Sequence, residues 1–100
     1  MNKTKFLILI EPEAINDIQL AIDYYDEAQI GLGKKFEYGL NKLLTNLEHS
    51  PFYAIRYDDV LCLPMRKFPF MIHYTINEEK MVIIVRAVFH TSLNPDKWKR

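Results

Sequence analysis

Apolar and polar residues alternate with a period close to two over the second half of the chain, which is typical of β-strands. The alternating segments are Val60–Arg66, Phe70–Ile76 and Met81–His90. Lys67-Phe68-Pro69 and the polar run Asn77-Glu78-Glu79-Lys80 separate them, and both are short enough for hairpin turns. The pattern therefore predicts a meander of consecutive antiparallel strands.

The two turns also predict how the strands pair. The second turn places Ile76 opposite Met81, Tyr74 opposite Ile83, Ile72 opposite Val85 and Phe70 opposite Ala87. The first turn places Met65 opposite Phe70, Leu63 opposite Ile72 and Leu61 opposite Tyr74. These apolar side chains share one face, which is the predicted core face. The opposite face would carry Cys62, Arg66, Met71, His73, Thr75, Ile84, Arg86, Val88 and His90, and would be left for a partner or substrate.

The first half of the chain predicts one strand and two helices. Lys5–Ile10 is a short apolar run, and Pro12 favours a strand that ends before a new helix begins. Ile15, Ile18, Ile22 and Tyr25 recur at spacings of three and four, so this helix continues to about Ala28. After a turn at Gly31 and Gly33, a second helix from Leu32 to about Glu48 carries the apolar stripe Phe36, Leu40, Leu43, Leu44 and Leu47.

Each helix has one apolar stripe, so the two helices are expected to form a hairpin that packs across the core face of the sheet. The predicted fold is α+β with the order β-α-α-β-β-β, in a single domain of residues 1–100. The connector from Pro51 to Asp59 holds Phe52, Tyr53 and Tyr57, which we expect to seal the edge of the core.

Composition limits the function classes. The chain has 13 basic and 13 acidic residues, and this balance argues against a surface built to grip nucleic acid. No apolar run approaches the ~20 residues of a membrane helix and no signal peptide is visible, so we expect a cytoplasmic protein. The single cysteine, Cys62, excludes an internal disulfide and is expected to be reduced.

The predicted register makes Cys62 and His73 neighbours on adjacent strands. Such a pair could act as a thiol–imidazole couple, or Cys62 could be a small apolar residue beside a half-buried histidine. A zinc site from Cys62, His73 and His90 lacks short ligand spacing, so no metal is expected. Gly31-Leu32-Gly33 is not a phosphate-binding loop, and no cofactor is expected.

Two arginines and the C-terminal aromatic residue suggest partner binding. Arg66 and Arg86 would suit carboxylates of an acidic or amphipathic segment. Trp98 lies in a basic tail with Lys97, Lys99 and Arg100, and this tail could dock a partner or fold back on the sheet edge.

The order of these elements and several short phrases resemble the RelE/ParE toxin superfamily of bacterial type II toxin–antitoxin systems. The phrases are Asp17-Ile18 before Asp23-Tyr24-Tyr25, Gly31-Leu32-Gly33 with Phe36, Leu43 and Leu47, Asp59-Val60, Lys67-Phe68-Pro69-Phe70, Tyr74, Ala87-Val88-Phe89-His90, Asn94-Pro95 and Trp98. They cover nearly the whole chain and are more similar to the ParE branch and its plasmid-stabilisation relatives than to the RelE branch.

The resemblance implies one of two activities. A ParE-like toxin would bind DNA gyrase and be neutralised by an antitoxin wrapped over the open sheet face and the helical hairpin. A RelE-like toxin would cut mRNA on the ribosome, but the positions of its expected lysine, arginine and C-terminal residue hold Pro64, Met71 and Thr91. This departure argues against an enzyme, because phosphate charge needs a positioned cation.

Several residues are therefore candidates for the site. For a protein-binding toxin the partner-binding candidates are Arg66, Met71, His73, Arg86, His90 and Trp98. For a ribonuclease, Arg66 and Arg86 would supply the cations and His73 or His90 the general base. A family member without toxicity is the third alternative.

Overall fold

The computed structural model describes residues 5–53 and 56–98. Its elements in chain order are β1 (Leu7–Ile10), α1 (Pro12–Ala28), α2 (Leu32–His49), β2 (Arg56–Tyr57), β3 (Val60–Pro64), β4 (Phe70–Asn77), β5 (Val82–His90) and a short 3-10 helix (Pro95–Lys97). Both predicted helices and all four predicted strands are present, and the two-residue β2 is an addition. The predicted α+β fold is confirmed.

The strands form one sheet in the order β1-β5-β4-β3-β2. The meander strands β3, β4 and β5 are antiparallel, whereas β1 pairs with β5 in parallel. The Leu7 N–H donates to the Met81 carbonyl at 2.9 Å, and the Glu11 N–H donates to the Val85 carbonyl at 3.0 Å. The sheet is therefore mixed, with β1 at one edge and β2 at the other.

Short sequence signals set the ends of the helices. Pro12 occupies the first turn of α1, where its missing N–H costs nothing. Gly31 begins α2 in the left-handed conformation with φ 90°, which glycine adopts without strain. The Asp26 carboxylate then accepts the Gly33 N–H at 2.8 Å, so the end of α1 caps the start of α2.

The helical hairpin covers the predicted core face. Its α2 stripe is buried or half-buried as predicted, but Ile15 is 55% exposed, and α1 instead buries Ala14 and Ala21 beside Ile18 and Ile22. From the sheet, the core receives Leu61, Leu63, Phe70, Ile72, Tyr74, Ile83 and Val85. The buried Tyr74 hydroxyl donates to the Pro51 carbonyl at 2.8 Å, which fastens the connector to the core.

The register agrees with the prediction on one side of β4 and differs on the other. Between β3 and β4, Leu61 lies opposite Tyr74 and Leu63 opposite Ile72, as predicted. Between β4 and β5, the pairing is shifted by two residues, so that Tyr74 lies opposite Val85. Met81 adopts a left-handed conformation with φ 56° and belongs to the turn between β4 and β5. The sequence pattern predicts this turn one residue earlier, at Asn77-Glu78-Glu79-Lys80. A two-residue shift keeps each side chain on its face.

A β-bulge in β5 then reverses part of the predicted pattern. His73 lies opposite Ala87 and Tyr74 opposite Val85, so Arg86 is the extra residue. Beyond the bulge, Val88 packs into the core and Ala87 faces the other way, contrary to prediction. His90 lies opposite Phe70, with its ring 5.1 Å from the Phe70 ring, so it does not share the face of His73.

β1 ends before the bulge, and α1 supports the exposed edge of β5 beyond that point. The Asp17 carboxylate accepts the Val88 N–H at 3.0 Å. This bond satisfies a backbone donor that has no strand beside it. No helix within the described ranges is long and apolar enough to cross a membrane.

Candidate functional site

The sheet face opposite the helices, here called the open face, is partly covered by the chain's own C-terminal segment. Its strand residues include Cys62, Met71, His73, Thr75, Ala87 and Phe89. His73 is 0% exposed although no helix covers it. Burial on this face therefore comes from residues that reach it from other segments.

Three aromatic side chains enclose His73. The rings of Trp98, Phe89 and Tyr57 lie 4.9, 5.0 and 5.7 Å from its ring. The Tyr57 hydroxyl is 3.1 Å from His73 Nδ1. Trp98 also contacts Tyr57 at 5.2 Å, and its indole Nε1 is buried with no hydrogen-bond partner in the described part of the chain. His73, Tyr57, Phe89 and Trp98 are called the aromatic cluster below.

The aromatic cluster decides between the two alternatives for Trp98 and corrects the prediction for Tyr57. Trp98 folds back on the sheet, one of the two alternatives considered for the tail, while Lys99 and Arg100 lie outside the described residues. Tyr57 belongs to the open face rather than to the core edge that we predicted, because it pairs with Val60 at the start of β3.

The predicted neighbours Cys62 and His73 are paired across β3 and β4, with Cys62 Sγ 3.5 Å from His73 Nδ1. Burial raises the pKa of the Cys62 thiol to about 11, so the thiol stays protonated at neutral pH. A nucleophilic cysteine needs its thiolate. The geometry therefore favours the interpretation of Cys62 as a small apolar residue.

A groove of about 510 Å³ opens beside the aromatic cluster. Its walls are Glu11, Glu13, Tyr57, Asp58, Val60, Arg86, Ala87 and Trp98. Arg86 Nη1 lies 3.0 Å from the Glu11 carboxylate, and both side chains are about 40% exposed. With three acidic residues and one arginine, the groove is negative overall.

The candidate residues fall into two groups. His73, Arg86 and Trp98 lie at the aromatic cluster and its groove, as described above. Arg66 is exposed in the β3–β4 turn, because β3 ends at Pro64 instead of continuing through Arg66 as predicted. Met71 is buried at the start of β4, and His90 ends β5 at the same end of the sheet.

Two groups of one residue, Ser92, hold the His90 side chain in place. Its Nδ1 accepts the Ser92 N–H at 3.0 Å and lies 2.7 Å from the Ser92 hydroxyl. His90 is thus directed away from His73 and Cys62, and the three do not form a common ligand set. No group of three His, Cys, Asp or Glu side chains suited to a metal occurs among residues 5–53 and 56–98.

Sequence analysis missed Glu11, Tyr57 and Asp58 as groove residues. Glu11 is the residue after a parallel edge strand, and Asp58 follows the two-residue β2. Glu11 could have been found from the sequence, because it is an acidic residue directly before the proline that begins α1. Tyr57 and Asp58 could not, because a strand as short as β2 has too few residues to show alternation.

Comparison with known proteins gives structural neighbours and no sequence relatives. No family model and no curated protein matches this chain. A chain of the chromosomal ParDE TA system from P. aeruginosa superposes with a TM-score of 0.74 and 14% identity, over 89% of this chain and 99% of that chain.

Two E. coli structures are similar as well. A chain of the intact RelBE toxin–antitoxin complex gives a TM-score of 0.64 and 18% identity, over 85% of this chain and 95% of that one. The isolated RelE toxin gives a TM-score of 0.64 and 17% identity, over 91% and 89%. All three likenesses span nearly the whole fold, and at identities of 14–18% they are likenesses of architecture. The chain therefore has the fold of the RelE/ParE toxin superfamily, as its sequence phrases predicted.

Proposed function

We propose that the chain is the toxin of a bacterial type II toxin–antitoxin pair, that it is ParE-like, and that it acts in the cytoplasm by binding a protein target, DNA gyrase. A cognate antitoxin would neutralise it. The superposition on the ParDE chain and the ParE-like phrases in the sequence support this proposal.

One observation carries the choice of a protein target over mRNA. Pro64 and Met71 lie directly opposite each other on the open face, at the positions where a RelE-like toxin would carry a lysine and an arginine. Neither side chain can stabilise the charge that develops on a phosphate, although such stabilisation commonly lowers the barrier more than any other effect in this kind of catalysis. Thr91, the third replaced position, is exposed at the same end of the sheet and offers no cation either.

The charges and residue types of the groove also favour a protein target over mRNA. Its three carboxylates would repel an RNA backbone, and Arg86 is already engaged by Glu11 at 3.0 Å. Aromatic side chains with an arginine are typical of the centres of protein interfaces. Trp98, Tyr57 and Arg86 supply both types at this groove.

A RelE-like ribonuclease is the second candidate, because an exposed arginine and an exposed histidine lie at one end of the sheet. Arg66 and His90 are both exposed and both lie at the end of the sheet where the β3–β4 turn joins the strands. They could act as cation and general base. His73 cannot serve as the base in this structure, because it is fully buried in the aromatic cluster.

Induction of the chain in a bacterium without antitoxin tests the two candidates together. We expect growth arrest, inhibited supercoiling of relaxed plasmid by gyrase in the presence of the purified chain, and intact mRNA when 5′ ends are mapped at codon resolution. Codon-phased cleavage with normal supercoiling would overturn the ParE-like proposal. Normal growth with neither effect would identify a member without toxicity.

Matched variants make the ribonuclease outcome specific. If cleavage occurs, Arg66→Ala and His90→Ala should abolish it, whereas Lys67→Ala in the same turn should not. His49→Ala, at the end of α2, is the corresponding control for His90.

A further inference from the structure

The groove beside the aromatic cluster carries more negative charge than Arg86 alone balances. Arg86 Nη1 is held by the Glu11 carboxylate at 3.0 Å, and the walls also include Glu13 and Asp58. Glu13 is exposed and forms no ion pair within the described ranges. A positive group that approaches this groove is therefore attracted to it.

The carboxylates of the groove converge from separate segments. Glu13 lies in the first turn of α1, where a negative charge also offsets the positive end of the helix dipole. Asp58 reaches the groove from the turn between β2 and β3, in a left-handed conformation with φ 52° that aspartate adopts more readily than most residues. The helix dipole thus accounts for Glu13 but not for Asp58, and the convergence of the two favours a site for a cation.

Aromatic walls favour one kind of cation over another. Trp98 and Tyr57 both line the groove, with their ring centroids 5.2 Å apart and their planes 44° apart. A guanidinium group is planar, stacks on aromatic faces and donates paired hydrogen bonds to a carboxylate, whereas an ammonium group is a compact point charge. A groove with aromatic and acidic walls therefore suits arginine better than lysine.

An apolar strip continues the groove along the open face. Leu7 and Leu9 are 59% and 49% exposed, and Leu9 pairs with Ile84 of β5. Leu9 precedes Glu11 by two residues, a distance of roughly 6.6 Å along a strand. Two side chains on one side of an extended peptide are separated by the same distance. An extended segment laid over the strip can therefore cover Leu9 with one side chain and reach the groove with another.

From these charges, rings and spacings, we propose that the groove binds an arginine side chain of a protein partner. The arginine faces Glu13 and Asp58 beside the two aromatic rings, and an aliphatic residue two positions away covers Leu9. This inference rests on the proposed function, since it takes the partner to be a protein and names its chemistry at the same groove. A carboxylate that faces Arg86 would then belong to the same segment.

Titration of the full chain with short peptides tests the proposal. Trp98 is the only tryptophan of the chain, so its emission reports directly on the groove. The probe is acetyl-Leu-Ser-Arg-amide, and we expect a saturable change in emission that weakens with added salt. The same peptide with citrulline, a neutral analogue of arginine, should bind about fivefold more weakly, as expected for the loss of an exposed ion pair. The lysine peptide should also bind more weakly than the arginine peptide.

Matched variants locate the bound peptide. Glu13→Gln should weaken binding of the arginine peptide about fivefold, whereas Glu27→Gln, exposed at the other end of α1, should leave it unchanged. Leu9→Ser should weaken binding as well, whereas Leu20→Ser, similarly exposed on α1, should not.

Several results would overturn the proposal. Equal affinities for the arginine and citrulline peptides, equal effects of Glu13→Gln and Glu27→Gln, or the lack of any saturable change would each do so. Binding by the double variant Lys99→Ala, Arg100→Ala but not by the native chain would assign the groove to the chain's own basic residues instead. Peptide binding is measured without gyrase, mRNA or cells, so its failure is distinguishable from a failure of the proposed function.

Discussion

Single side chains on the core face contribute far more to stability than exposed apolar ones. Ile72 is 0% exposed at the centre of the core, whereas Leu20 on α1 is 60% exposed. Ile72→Ala should lower the free energy of unfolding by about 2–5 kcal/mol, through lost burial and the cavity that remains. Leu20→Ala should change it by no more than about 0.5 kcal/mol, as is usual for surface positions. Urea denaturation of both variants measures the difference, and equal losses would contradict this packing.

Burial of Cys62 predicts a dependence of stability on alkaline pH. The pKa of the folded thiol is raised to about 11 from an ordinary value near 9. The protonated thiol therefore contributes stability that is complete below about pH 9 and is lost as the pH rises through 11. The wild type should lose stability more steeply over this interval than Cys62→Ala. Both proteins retain Tyr74, whose pKa is raised first by burial and also by the charge of Cys62, so their difference reports Cys62 together with its effect on Tyr74. Parallel pH curves would contradict the assignment.

The open face shows where prediction from single residues fails. Cys62 and His73 were correctly predicted as neighbours, because the β3–β4 turn fixes their register. The enclosure of His73 was not predictable from its position, since Trp98 reaches it from the segment after β5 and Tyr57 from the two-residue strand β2. Long-range contacts of irregular segments leave no periodic signal in the sequence.

At the scale of elements, the helical hairpin depends on a close approach at Gly33. A Cβ atom at this position would lie 2.6 Å from the Ile22 carbonyl oxygen and 2.7 Å from Asp26 Cγ. Gly33→Ala should therefore separate the helices and cost about 1–3 kcal/mol, the usual range for overpacking. Thermal unfolding measures this cost.

Gly39 provides the matched control in the same helix. Its added Cβ would have Met65 Cε at 3.6 Å as its nearest neighbour, which is ordinary contact. Gly39→Ala should be neutral or stabilise the protein by up to about 1 kcal/mol, because alanine favours the helix. A Gly33→Ala variant as stable as Gly39→Ala would show that the hairpin adjusts without cost.

Element boundaries were predictable where local chemistry determines them. Pro12 and Gly31 mark helix starts that the structure confirms within a residue. The β4–β5 register was not predictable, because Met81 takes a left-handed conformation that its residue type does not favour. The bulge at Arg86 was not predictable either. One extra residue changes the face of Ala87, Val88 and His90 without disturbing the apolar run of the sequence.

At the scale of the whole molecule, a neutral chain presents a locally negative groove. Charges balance over the sequence, but the groove wall collects Glu11, Glu13 and Asp58 around Arg86. The ion pair between Arg86 and Glu11 joins the bulge of β5 to the residue that follows β1. Arg86 therefore has a structural contact in addition to its proposed role in partner binding, and a test must separate the two.

Charge reversal with a compensating swap separates these roles. In the proposed complex Arg86 and Arg66 face carboxylates of the antitoxin. Arg66→Glu and Arg86→Glu should each weaken binding at least tenfold, or about 1.4 kcal/mol, since each removes an attraction and adds a repulsion.

Adding Glu11→Arg to Arg86→Glu restores the internal ion pair with its polarity reversed. If Arg86 acts on the partner, the double variant should regain stability without regaining affinity. Calorimetric titration and denaturant unfolding measure the two quantities separately. Recovery of both would reduce Arg86 to a structural role, and unchanged affinity in both single variants would remove the arginines from the interface.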